Sequence, residues 1–127
     1  MSKTYLIIGA STGIGLALSN QLKAEGNHVI TASRNGDLKF DALTDAFDGS
    51  GLPEQLDGVA YCPGSINLKP FHRLTIQDFS DDFNINVLGA VKIIQAVANS
   101  WFLLSRIFLL YPHSKPNRKR PMYQKLA

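Results

Sequence analysis

Thr4-Tyr5-Leu6-Ile7-Ile8-Gly9-Ala10-Ser11-Thr12-Gly13-Ile14-Gly15 is the stretch whose reading decides the fold. Its first five residues form a short apolar run rich in β-formers, as a strand buried on both faces requires. The run empties into three glycines spaced G-x-x-x-G-x-G. Beyond them Ile14, Ala17, Leu18 and Leu22 recur at helical spacing, and Ala24-Glu25-Gly26 ends the helix, Gly26 suiting a left-handed cap. In this order the helix starts near Gly13, so its unpaired amides and positive end face any phosphate at the turn. Glycines there permit positive φ and let the backbone approach a ligand or a neighbouring strand. The spacing differs from the common G-x-G-x-x-G dinucleotide fingerprint. A glycine turn that binds nothing is the plain alternative.

Working outward, His28 to Ala32 and Asp57 to Tyr61 read as further strands, with Leu38-Lys39-Phe40 as a short strand between them. Asn35-Gly36 is a hairpin signal that would make its flanking strands antiparallel. A parallel connection ordinarily needs a dozen or more residues, so the topology of residues 33–56 stays open. Thr75 to Trp101 is the strongest predicted helix. Thr75 with Asp78 resembles a capping box. Ile76, Phe79, Phe83, Val87, Ala90, Ile94, Val97 and Trp101 then follow one face, widened by Val91 and Ala98. Asn84, Asn86 and Gly89 are weak helix formers in its middle and point to a kink.

At 127 residues, 45% hydrophobic and 18% charged, the chain suits one globular domain. Its single cysteine, Cys62, excludes an internal disulfide and a cysteine-built zinc site, and reads as a small buried thiol. His28, His72 and His113 are too scattered to nominate a metal site. The apolar run Trp101 to Tyr111 is too short to span a bilayer, and the N-terminus lacks a secretory segment, so a cytoplasmic protein is expected. The net charge of +3 hides an asymmetry: all ten acids lie within residues 1–82, and residues 83–127 hold none. From Pro112 onward the chain is basic and interrupted by Pro112, Pro116 and Pro121. It reads as a poorly ordered, solvated tail in preference to a nucleic-acid or lipid contact.

Ile8-Gly9-Ala10-Ser11-Thr12-Gly13-Ile14-Gly15 resembles the cofactor loop of the short-chain dehydrogenase/reductase family, whose usual form begins with Thr where this chain has Ile8. The resemblance continues through Ala32-Ser33-Arg34, Phe40-Asp41-Ala42-Leu43-Thr44-Asp45, Tyr61-Cys62-Pro63-Gly64 and Asn84-Ile85-Asn86-Val87-Leu88-Gly89. It implies an α/β, Rossmann-like doubly wound parallel sheet, present as its N-terminal half plus the long helix. The expected division is a nucleotide-binding unit at 1–100 and an apolar, then basic, tail at 101–127.

The same resemblance implies a site. Gly9, Ser11, Thr12, Gly13, Ile14 and Gly15 would line the phosphates of a nicotinamide dinucleotide, and Asp41 would meet the adenine amino group. Ser33 and Arg34 stand where the family chooses between NAD and NADP. A hydroxyl and a guanidinium match a 2′-phosphate by charge and fork geometry, so NADP is favoured over NAD. A solvated loop charge is the alternative for Arg34. Gly64 is kept from the family's Asn-Asn-Ala-Gly, while Tyr61 and Cys62 replace both asparagines. Asn86 matches the catalytic asparagine that helps order a water in the proton relay, or it bonds within a kinked helix.

Family chemistry moves hydride between nicotinamide and a small carbonyl or alcohol substrate, with a serine, a tyrosine and a lysine supplying the remaining groups. Tyr111 and Lys115 have the tyrosine–lysine spacing but follow Asn86 too closely, between prolines, and read as coincidence. The resemblance ends near Asn99, where acids vanish and prolines begin, as a reading-frame shift or premature end in a longer gene would produce. The expectation is therefore an oxidoreductase by ancestry, impaired in catalysis, with homo-oligomerisation through helix 75–101. A non-enzymatic interaction protein and an active short reductase are the rival readings.

Overall fold

Strand β1 (Thr4–Ile8) lies at the centre of a five-stranded sheet. The computed structural model describes residues 2–44, 46–98 and the backbone of 107–109. In chain order the other strands are β2 (His28–Ser33), β3 (Leu38–Lys39), β4 (Gly58–Tyr61) and β5 (Ile107–Leu109), and they stand in the order β3-β2-β1-β4-β5. Every pairing is parallel, with Ile7 facing Thr31 on one side and Ala60 on the other. The sheet is thus the open parallel type expected from the sequence.

Alternation along β1 explains why the strand carries no polar residue after Thr4. Leu6 and Ile8 enter one core with Val59, Tyr61, Ile93 and Val97, while Ile7 enters another with Val29, Ala60 and Cys62. Both faces are covered, so both must be apolar.

Helix α1 (Gly13–Ala24) covers the second core. Its inward face differs from the one predicted. Gly15 and Ser19 are buried and Leu18 and Leu22 pack partly on the core, whereas Ile14 and Ala17 are exposed. The missing Cβ at Gly15 lets the helix approach the Gly9–Ala10 backbone, where a side chain would hold it off. Gly26, with φ +87, carries the chain out of the helix in the left-handed conformation, as its position suggested.

The Asn35-Gly36 conflict resolves as a parallel connection. Only Ala32 and Ser33 pair with Leu38 and Lys39, so the loop returns the chain by one residue, roughly 3.3 Å at strand rise, as it crosses to the neighbouring strand position. Four residues suffice for that. Asp37 closes the loop, its Oδ2 accepting from the Thr31 amide and hydroxyl, each at 3.1 Å.

Within the described residues the predicted long helix is three segments: α2 (Ile76–Phe83), a π-helical turn (Asn84–Leu88) and α3 (Gly89–Val97); its expected end at Trp101 lies outside them. Thr75 and Asp78 form the capping box, each side chain bonded to the other's backbone amide. The π-turn inserts an extra residue and rotates the downstream face by about 100°. The apolar stripe therefore divides. Ile76, Phe79, Phe83, Val87 and Val91 are exposed, and Ala90, Ile93 and Val97 are buried against the sheet.

Strand β5 extends the sheet beyond residue 100, with Ile107, Phe108 and Leu109 in register with Val59, Ala60 and Tyr61. The rest of the expected tail, including Tyr111 and Lys115, lies outside the described residues. Among the described residues no helix is long and apolar enough to cross a membrane.

Candidate functional site

The candidate site sits at the C-terminal ends of the strands, because each predicted segment follows one of them. Strand β1 leads to the glycine turn, β2 to Ser33–Arg34, β3 to Asp41, and β4 to Pro63–Gly64. β1 stands between β2 and β4, so connections leave it in opposite directions across the sheet. A crevice opens at such a reversal in parallel α/β sheets.

In the glycine turn, Gly9 and Gly13 have φ of +77 and +58. Thr12 is the extended residue at the head of α1, and its side chain makes no capping bond. The Leu16 amide donates to the Thr12 carbonyl at 3.3 Å, which leaves the amides of Gly13, Ile14 and Gly15 without carbonyl partners inside the helix. No acid stands in the first turn, so the helix end keeps its positive character. Ser11 and Thr12 are exposed beside it. These features fit a bound pyrophosphate: donors are free, the hydroxyls are accessible and nothing negative competes.

The Gly9 amide donates to the Ala32 carbonyl at 2.8 Å, fixing the turn against the end of β2. Ser33, next in the chain, is buried, and its Oγ accepts from the Asn35 amide at 3.3 Å. Arg34 is exposed, with no ion-pair partner among the described residues. Asp41 is half-buried and its Oδ1 accepts from the Leu43 amide at 2.9 Å, closing a local turn.

On the other side of β1, a Cβ built on Gly9 would stand 3.0–3.1 Å from the Pro63 nitrogen and ring carbons. The segment after β4 therefore packs directly on the glycine turn, with Gly64 exposed next to it. Cys62 is buried, and desolvation pushes its thiol up, which keeps it protonated and inert.

Asn86 lies in the π-turn and reaches across to this segment. Its side-chain amide donates to the Ser65 carbonyl at 2.7 Å, and its oxygen accepts from the Ser65 amide at 3.0 Å. Neither partner belongs to the helix itself. Two further rungs continue the contact along the helix face. Asn67 bonds both Asp82 carboxylate oxygens at 3.1 Å, and Lys69 pairs with Asp78 at 3.0 Å. Residues 65, 67 and 69 thus meet 86, 82 and 78, an extended period of two against a helical period of four.

Sequence reasoning did not single out Ser65, and it placed Tyr61, Pro63 and Gly89 in motifs without assigning the contacts they make. Tyr61 is buried and donates its hydroxyl to the Ile85 carbonyl. A glycine in the middle of an otherwise apolar helix was the one available signal, since such a residue usually marks a close approach. Among the described residues no group of His, Cys, Asp and Glu could hold a metal ion.

Comparison with known proteins bears on the fold. The chain matches no protein-family model and no curated protein. Solved structures do match. A short-chain dehydrogenase from Streptomyces avermitilis has a TM-score of 0.66 at 20% identity, over 77% of this chain and 44% of that one. A short-chain dehydrogenase/reductase from Burkholderia multivorans with bound NADP has a TM-score of 0.69 at 17% identity, over 95% and 64%. A short chain dehydrogenase from Leptospira borgpetersenii with bound NAD+ has 0.63 at 20%, over 80% and 46%. The chain spans about half the length of the solved structures it matches. Its fold is the Rossmann-like α/β fold of short-chain dehydrogenase/reductases, with part of that fold present.

Proposed function

We propose that this chain is the nucleotide-binding part of a short-chain dehydrogenase/reductase and binds NADP(H) in preference to NAD(H). The observation that carries the reading is the hydrogen bond from the Gly9 amide to the Ala32 carbonyl, which sets an uncapped helix end beside Ser33 and Arg34. Gly9, Ser11, Thr12, Gly13, Ile14 and Gly15 would hold the phosphates, and Asp41 would meet the adenine. Arg34, exposed and without a carboxylate partner among the described residues, would hold the 2′-phosphate. Gly64 would let the segment after β4 approach the cofactor.

When bound, the reduced dinucleotide would supply hydride to a small carbonyl carbon, and the oxidised form would accept hydride from an alcohol carbon. This chain's residues bind and orient the cofactor; Asn86 holds the Ser65 backbone next to it. Tyr111 and Lys115 are not assigned the proton transfer, so binding without turnover is the expected behaviour. A fluorescence titration with NADPH and NADH decides the matter: saturable binding, tighter for NADPH, is expected, and no saturation by a folded sample overturns the assignment.

A second reading concerns association. Ile76, Phe79, Phe83, Val87 and Val91 form an exposed apolar stripe on α2, the π-turn and α3, with Ile76 83% exposed. Such a stripe favours self-association of the chain through this helix, in the cytoplasm as the expected setting.

A further inference from the structure

Gly89 interrupts a helix at a place where its backbone freedom is not used, since the residue sits in ordinary helical conformation (φ −58, ψ −44). Glycine weakens a helix interior relative to alanine, so a packing reason is needed. That reason is Tyr61: a Cβ on Gly89 would overlap the Tyr61 hydroxyl and crowd the Ala42 side chain. The missing Cβ makes room for a hydroxyl rising from the end of β4 into the helix backbone.

The hydroxyl meets a carbonyl left without its usual donor by the π-turn. In a regular α-helix the Gly89 amide would donate to the Ile85 carbonyl. Here it donates to Asn84 instead, and Tyr61 donates to Ile85. The next residue, Asn86, bonds both polar groups of the Ser65 backbone. Tyr61 and Ser65 are therefore tied to consecutive residues of one turn. The three residues between them, Cys62, Pro63 and Gly64, form a staple whose Pro63 packs on Gly9.

We infer that Tyr61 is a positioning residue of the nucleotide site, acting through the π-turn and Asn86 to hold Pro63 and Gly64 against the glycine turn. The inference rests on the cofactor reading for its effect on binding and on geometry alone for the coupling. The hydroxyl, and not the ring, is the operative group. The ring fills the core in either case, whereas the hydroxyl donates to the Ile85 carbonyl and so braces the π-turn.

The test uses Tyr61→Phe, Gly89→Ala and the double variant in the whole chain, with Ile93→Val as a control that loosens the same helix from inside the core. Amide NMR signals and hydrogen exchange at Gly64 and Ser65 report the staple, and NADPH titration reports the site. Tyr61→Phe is expected to shift the Ser65 amide, speed its exchange and weaken NADPH by roughly two- to tenfold, the size of one net hydrogen bond. Ile93→Val should lower the melting midpoint while leaving both readouts at wild-type values. Gly89→Ala should be more disruptive alone than in the Tyr61→Phe background, because removing the hydroxyl removes the overlap. Unmoved Gly64 and Ser65 signals in Tyr61→Phe overturn the inference, as does a Gly89→Ala effect equal in both backgrounds. If Tyr61→Phe does not fold, Gly89→Ala reads the same hydroxyl from the other side. A wild-type chain that binds no NADPH removes the cofactor reading, and the amide signals and the cycle still decide whether Tyr61 sets the staple.

Discussion

The carbonyl of Gly9 occupies the space into which a Cβ on Gly15 would project, so turn and helix meet backbone to backbone. Gly15→Ala would ordinarily stabilise a helix interior. Here the expected sign is reversed, with a loss of roughly 1–3 kcal/mol from overpacking against backbone that cannot move aside. Gly13 is a useful contrast: a Cβ there meets nothing within 4 Å, and only its φ of +58 opposes substitution. Gly13→Ala should therefore cost about 1–2 kcal/mol through conformation alone. Urea midpoints of the two variants check both values.

Arg34→Asp replaces an exposed guanidinium by a carboxylate at the end of β2. If Arg34 holds the 2′-phosphate, NADPH affinity should fall roughly 10- to 100-fold, the loss of a charge-assisted hydrogen bond, while NADH affinity changes little. Parallel titrations with the two cofactors measure the ratio. Equal losses would show that Arg34 does not discriminate between them.

Asp78 gives an acid-limb prediction. The Thr75 amide donating to its carboxylate, with help from Lys69, holds its carboxyl below the usual value of 3.8. A carboxyl lowered in the folded state binds its proton more readily in the unfolded chain. Its contribution to stability is thus present above 3.8 and is lost as pH falls through the lower folded value. Asp78→Asn should flatten the stability profile across that window, and Thr75→Ala should cost about 1 kcal/mol at neutral pH through the lost cap. Denaturant midpoints measured as a function of pH test both.

The exposed stripe predicts association. Phe79 and Phe83 are 48% and 54% exposed. The wild-type chain should sediment as more than a monomer, and Phe79→Glu combined with Phe83→Glu should shift it toward monomer without loss of helicity. A wild-type chain already monomeric at high concentration would remove the stripe from consideration as an interface.

The glycine turn, α1, the capping box and the central strands were legible because their signals are local. An apolar run, a positive-φ glycine or a threonine three residues before an acid carries its meaning within a few positions. The inward face of α1 is not legible from hydrophobicity alone. Gly15 and Ser19 are buried, and at Gly15 the requirement for a small residue comes from the Gly9 carbonyl in the turn before the helix. Strand β5 escaped notice since three apolar residues inside a longer apolar run carry no period of their own.

By itself, the sequence determined the kind of sheet, the position of the glycine turn and the weak centre of the long helix. Only the tertiary structure decided that the weak centre is a π-turn, that β3 runs parallel, and that Asn86 bonds the Ser65 backbone. The physical reason is range. Backbone propensity acts over one or two turns, whereas the Tyr61 hydroxyl, the Ile85 carbonyl and the missing Cβ of Gly89 have meaning only once β4 and the helix are packed together.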